Sequence, residues 1–199
     1  MVKELLFSIE HYMRTGGIVM IPILAVSFFM WLLIINRALV LHRLNARHIS
    51  RERAGELVRH NQAPDDRHQG VNSLLVREFL QMRSHDSELD DFILDETVVR
   101  IVSSLDTHLA VIRVLAGIAP LLGLLGTVTG MMGTFDVITV FGTGNAKAMA
   151  GGISVALVTT QTGLMVSIPG LYMSGFLTRR ASNLKYRIAA TGIYLKRFL

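Results

Sequence analysis

Apolar residues are concentrated along this chain. Three stretches carry no charged side chain: residues 15–36, 114–135 and 148–178, of 22, 22 and 31 residues. A bilayer's hydrocarbon core of roughly 30 Å takes about 20 helical residues to cross, and one charge at its centre costs about 2.5–3.5 kcal/mol on insertion scales. The pattern therefore predicts transmembrane helices at 15–36, 114–140 and 148–178, the third longer than a single crossing needs. The run from Ile18 to Ile35 is too long for a signal peptide and ends in Asn36-Arg37 instead of a small-residue cleavage site, so it is expected to stay in the mature protein.

The flanking segments are also periodic. Leu5, Leu6, Ile9, Tyr12 and Met13 recur at helical spacing among Lys3, Glu4, Glu10 and Arg14, which predicts an amphipathic helix over 1–14 on the outer membrane face. Gly16-Gly17 separates it from the first span. The first helix is expected to continue to about Arg59, and the polar stretch from His60 to Ser73, with Pro64 and Gly70, predicts a turn. Leu94, Val98, Ile101, Leu105, Leu109 and Ile112 then lead into the second span without a Gly or Pro. That spacing predicts one helix over 87–140, on the order of 80 Å long. Leu184 and Ile188 carry the apolar face of the third helix past its span in the same way. The expected fold is an all-α integral membrane protein whose second and third transmembrane helices extend into the cytoplasm.

Composition supports this reading. Only 18% of residues are charged and 51% are hydrophobic, against about a quarter charged in soluble domains. With no cysteine, disulfide frameworks, thiolate metal sites and thiol nucleophiles are excluded. The net charge of +5 becomes informative once it is located: eleven Lys and Arg face twelve Asp and Glu over residues 37–113, whereas residues 179–199 hold six basic residues and no acid. Basic residues mark cytoplasmic loops. This bias puts the N-terminus outside, residues 37–113 in the cytoplasm as a helical insertion, 141–147 outside as a connection, and 179–199 inside as a basic tail. A basic tail following a span points to anionic lipid headgroups, not to nucleic acid.

The two hairpin spans differ in composition from ordinary lipid-facing helices. Ala116, Pro120, Gly123, Thr127, Gly130 and Thr134 form one stripe, with Ala119, Gly126 and Gly133 on a second line; Gly152, Ala156, Thr159, Gly163, Ser167, Gly170 and Ser174 form the stripe of the third helix. Small residues let helix backbones approach closely, which assigns Pro120, Gly123, Gly126, Gly130, Gly163 and Pro169 to helix packing. Two such stripes exceed what one hairpin needs, and an oligomer lining a central space with Thr127, Thr160, Thr134, Thr159, Ser154 and Ser167 uses the excess. Packing within one hairpin is the alternative. Neither 114–135 nor 148–178 contains an Asp, Glu, His, Lys or Arg, although intramembrane proton relays use such groups. Proton translocation would thus need a carboxylate from a second protein.

These stretches carry a resemblance. Ala119-Pro120-Leu121-Leu122-Gly123-Leu124-Leu125-Gly126-Thr127-Val128-Thr129-Gly130-Met131-Met132 and Gly152-Ile153-Ser154-Val155-Ala156-Leu157-Val158-Thr159-Thr160-Gln161-Thr162-Gly163-Leu164, followed by Ile168-Pro169, are similar to the two signature segments of the ExbB/TolQ/MotA proton-channel family, and most similar to ExbB proteins. The resemblance implies a homopentamer in the bacterial inner membrane. Its second and third helices would enclose a dimer of a single-span ExbD- or TolR-like subunit whose intramembrane Asp carries protons, and the complex would pass proton-motive-force energy to a TonB-like protein for outer-membrane import. It also implies pore-facing roles for Thr127 and Thr160. Val155 lies where several ExbB proteins have Glu, so a carboxylate role there does not transfer. A TolQ-like role in envelope maintenance and a non-conducting scaffold are the alternatives.

The remaining polar groups add less. Asp136 and Lys147 flank the outer connection, and Asp106 and Arg113 the cytoplasmic start of the second span, as candidate rim or pathway-mouth residues. The acids Asp86, Glu88, Asp90, Asp91, Asp95 and Glu96 are expected to balance the basic run from Arg43 to Arg59. The seven histidines are scattered and suggest no metal site. No Gly-x-Ser-x-Gly or phosphate-binding Gly-Lys-Ser/Thr loop occurs, so neither catalytic residues nor a cofactor are expected.

Overall fold

The computed structural model describes residues 15–46, 49–64, 70–84 and 86–198. The amphipathic helix expected over 1–14 lies outside the described residues. Among the described residues, the α-helices are α1 (Met20–Ala46), α2 (Arg51–Arg59), α3 (Val71–Met82), α4 (Ser87–Ser104), α5 (Leu109–Phe141) and α6 (Ala146–Leu195), after a helical end at residues 15–16, with short 3-10 turns at Gly142–Gly144 and Lys196–Phe198. There is no strand among the described residues. Three helical stretches are long and apolar enough to cross a membrane: Met20–Asn45, Ser87–Gly144 and Ala146–Phe198.

The chain divides into two compact units, one of Met1–Ile34 with Val111–Ser174 and the other of Ile35–Ala110 with Gly175–Leu199. The first unit holds the charge-free stretches. Gly17, at φ +65°, takes a left-handed conformation suited to glycine and turns the chain into α1. Between α5 and α6 only residues 142–145 are non-α-helical; Gly142 again has positive φ, at +67°, and Asn145 caps α6 by accepting from the Ala148 N–H at 3.1 Å. Pro120 and Pro169 sit inside α5 and α6 without ending them, as membrane helices tolerate.

The second unit has its own core of Leu75, Val76, Phe79, Leu94, Ile101, Leu177, Leu184 and Ile188, all at most 2% exposed. A buried polar knot ties three segments of it together. Asn72 donates to the Ile49 carbonyl at 2.9 Å and accepts from the Thr191 hydroxyl at 3.1 Å, so the amide is satisfied away from water, as burial requires.

Three expectations are corrected in this unit. The first helix does not run to Arg59. It ends at Ala46, and Ser50, in extended conformation, starts α2 by accepting from the Arg53 N–H at 3.3 Å, a helix-start signal that apolar periodicity alone does not register. Residues 71–73 belong to α3, not to the turn, because Val71, Leu75, Val76 and Phe79 form a buried helical face. The single helix expected over 87–140 is broken: α4 ends at Ser104, and α5 starts at Leu109 after a turn in which His108 has φ +65°. The apolar spacing runs through this break unchanged because Ile101, Leu105, Leu109 and Ile112, on both sides of the turn, are all buried; periodicity reports which residues face inward, not whether the backbone stays helical between them. The turn is held by Arg37, 8% exposed, whose guanidinium donates to the Ser104 carbonyl at 2.9 Å, covering a helix-end acceptor that has no partner within α4.

The acidic cluster is also paired differently from expectation. Asp90 binds Arg83 at 3.0 Å, Asp91 and Asp95 share Lys196 at 2.9 and 2.8 Å, and Glu96 pairs with Arg100 at 2.6 Å. Its ion-pair partners among the described residues thus come from Arg83, Arg100 and the tail, not from the run Arg43 to Arg59. Asp90 is 2% exposed. Burial pushes its carboxyl up, but the Ser84 N–H, the Arg83 guanidinium and the Ser84 hydroxyl outweigh that and hold it below the usual carboxylate range.

Candidate functional site in the helical hairpin

In the first unit, α5 and α6 meet backbone to backbone. A Cβ at Gly163 would lie 2.6 Å from the Ala119 carbonyl oxygen and 3.1 Å from Gly123 Cα; one at Gly123 would lie 3.1 Å from Thr159 O and from Thr160 Cα. Further along, a Cβ at Gly130 would be 2.7 Å from Ala156 N and Gly152 O. These are below van der Waals separation, so only glycine permits the approach. At Gly126 the space a side chain would take is filled by the Thr159 side chain, and at Gly152 by Thr134. Ala119 and Gly126 of the second line on α5 thereby join the first in one seam. Gly117 and Gly133, in contrast, face open space.

The hydroxyls divide by exposure. Thr134, Thr159 and Ser167 are 3%, 0% and 2% exposed; Thr134 donates to Gly130 O at 3.1 Å and Thr159 to Val155 O at 2.8 Å, so both satisfy themselves on their own helix. Thr127, Ser154 and Thr160 are half-buried. Thr127 donates to Leu124 O at 2.6 Å. Thr160 lies within reach of two carbonyls, Ala156 O at 3.1 Å and, across the seam, Gly123 O at 3.2 Å. Its single proton is shared between a carbonyl of its own helix and one of α5, at the place where the backbones are close.

Pro120 and Pro169 are half-buried. Asp136 is exposed near the end of α5, and Arg113 is exposed near its start. Asp106, in the turn before α5, accepts from the Lys185 ammonium. Val155 lines a cavity of about 220 Å³ with Gly16, Val19, Thr129, Gly130 and Gly152, so this position opens into a mostly apolar space.

One polar residue lies outside the stripes that the sequence pattern picks out. Gln161 is exposed on α6 and has no hydrogen-bond partner among the described residues. It follows Thr160 by one residue, which on a helix turns it about 100° away from that side chain. Its signal is present in the sequence, since it is the only Asn or Gln in 114–135 and 148–178, but helical stripes of small residues do not pass through it.

Comparison with known proteins gives this geometry its context. A profile described as the MotA/TolQ/ExbB proton channel family matches residues 67–190. An ExbB-like biopolymer transport protein of Synechocystis sp. is 30% identical over 196 residues, covering 91% of this chain and 75% of the relative. The biopolymer transport protein ExbB of Aquifex aeolicus is 33% identical over 53% of this chain and 68% of its own length, and that of Helicobacter pylori is 40% identical over 44% and 61%.

Proposed function

Because the chain belongs to the MotA/TolQ/ExbB proton channel family and is closest to ExbB within it, we propose that it is the channel and stator subunit of an inner-membrane complex that couples the proton-motive force to outer-membrane import. The observation that carries this reading is the hairpin: two apolar helices in backbone contact, free of acidic and basic side chains over 114–135 and 148–178, with half-buried hydroxyls at Thr127 and Thr160. A helix pair of this kind can provide a wall and hydrogen-bonding groups for a proton pathway, but not the titrating group. The carboxylate comes from a single-span ExbD- or TolR-like partner, and a TonB-like protein receives the work.

In this reading Thr127 and Thr160 line the pathway, joined by Ser154, while Thr134, Thr159 and Ser167 act through packing. Several copies, expected to be five, surround the partner's spans. Oligomerisation also accounts for Gln161, since an amide without a partner is costly in lipid and interhelical hydrogen bonds to Gln are a common solution. The N-terminus and the connection around 142–145 face the periplasm, and residues 37–113 and 179–199 face the cytoplasm, with Asp136 at the outer rim and Asp106 and Arg113 at the inner mouth.

The test is proton flux into vesicles containing this chain and its partner. Thr127→Val and Thr160→Val are expected to keep the complex assembled on size exclusion while abolishing flux and energised uptake. Full flux from both variants would overturn the pathway assignment.

A further inference from the structure

The second unit contains a cavity that the channel reading does not use. It measures about 440 Å³, within the roughly 300–1,000 Å³ range of small-ligand sites. Leu41 and Leu184, 1% and 2% exposed, form an apolar floor. Its polar lining consists of the guanidinium side chains of Arg180 and Arg187, the amides of Asn45 and Asn183, and Tyr186. Arg187 donates to Asn45 Oδ1 at 2.9 Å, which holds these two side chains together at the wall. Among the described residues, no carboxylate lines the cavity.

Two further observations narrow what it holds. The basic residues of the tail are not equivalent: Lys185 is engaged by Asp106 and Lys196 by Asp91 and Asp95, so part of the tail's positive charge is neutralised within the fold. Arg180 instead stacks on Phe176, its guanidinium carbon 4.6 Å from the ring centroid, an arrangement that fixes the side chain and leaves its in-plane donors for an anion. The cavity also lies just past the charge-free stretches, since Arg179-Arg180 follow Thr178 and Arg37 follows Asn36. On the apolar side, the Phe176 ring that carries the Arg180 stack is 41% exposed.

We propose that this cavity binds the phosphate of an anionic phospholipid headgroup, with Arg180 and Arg187 as the charged contacts, Asn45 and Asn183 as hydrogen-bonding groups, and the acyl chains leaving past Phe176. A planar guanidinium matches two phosphate oxygens at once, and a free anion would leave the exposed Phe176 ring beside Arg180 unused. The inference rests on the proposed function only in placing the end of the spans at a membrane surface.

The experiment uses the full chain in nanodiscs of phosphatidylcholine with and without phosphatidylglycerol, followed by native mass spectrometry of the lipid that stays bound. Phosphatidylglycerol is expected to be retained over phosphatidylcholine. The pair Arg180→Gln and Arg187→Gln should weaken that retention roughly thirtyfold, and Arg180→Lys with Arg187→Lys should recover part of it. Removing the same charge outside the cavity, with Arg179→Gln and Arg197→Gln, should weaken it clearly less. Equal losses from the two Gln pairs would mean diffuse surface attraction and overturn the site. Displacement of the lipid by inorganic phosphate would overturn the lipid as its source, and no retention by the unaltered chain would overturn the proposal outright. Lipid retention is read without any proton flux, so a chain that keeps phosphatidylglycerol but conducts nothing refutes the channel reading and not this one.

Discussion

Replacing Gly130 by alanine places a methyl carbon 2.7 Å from both the Ala156 nitrogen and the Gly152 oxygen. Both are backbone atoms of α6, so no rotamer change relieves the overlap. Ordinary contact begins near 3.4 Å, and the helices must separate by several tenths of an ångström along the seam. Overpacking of this kind costs typically 1–3 kcal/mol, and in lipid it acts on the van der Waals packing that holds membrane helices together. The better helix propensity of alanine, about 1 kcal/mol in water, offsets only part of this, since a membrane span stays helical when it separates from its neighbours. A net loss of about 1–2 kcal/mol follows, close to tenfold in the equilibrium. Gly133→Ala is the matched control, three residues along the same helix with nothing within 4 Å, and should shift stability by less than about 0.5 kcal/mol. Reversible unfolding of the purified chain in mixed micelles measures both. Equal effects of the two substitutions would refute the reasoning, because helix propensity treats the two glycines alike and only the seam separates them.

Three further outcomes are expected. Asp90→Ala leaves Arg83 without its carboxylate in a nearly buried site, 14% exposed on the arginine side, and should cost about 3 kcal/mol on the same unfolding assay. Because the folded Asp90 carboxyl titrates below its ordinary value, its contribution is fully present above the unfolded pKa of about 3.9 and is lost as pH falls through the lower folded value; Asp90→Asn should remove that acid-limb dependence, seen as a flatter stability curve at low pH. Arg37→Met should leave the Ser104 carbonyl at the end of α4 with only the 3.3 Å bond from the Thr107 N–H and raise amide hydrogen exchange across residues 101–109 without loosening the α5·α6 seam. Gln161→Leu should lower the dissociation temperature of the assembled oligomer while leaving a dissociated chain as stable as before, which native mass spectrometry on heating distinguishes.

Much of the hairpin was legible in the chain. The glycines at 123, 126, 130 and 163 are spaced so that any close-packed pair of helices must use them, and each does meet the opposite helix. What spacing could not separate was which hydroxyls are consumed by that contact. Thr159 and Thr160 are adjacent and chemically identical, yet one fills the hollow at Gly126 and the other reaches Gly123 O at the seam's edge. A rotation of about 100° per residue turns sequence neighbours toward different surroundings, and only packing determines what those are.

Membrane character, the number of apolar spans and the lack of an acid or base over 114–135 and 148–178 could be read from the chain alone, because desolvation acts on every residue of a span whatever its neighbours. The tertiary structure decided where helices stop and which charges meet. The break at residues 105–108 lies on an unbroken apolar face, and the acids of α4 pair with Arg83 and Lys196, residues that fall on either side of them in the sequence. Caps and ion pairs depend on single atoms arriving at bonding distance, and the fold, not the local pattern, brings them there.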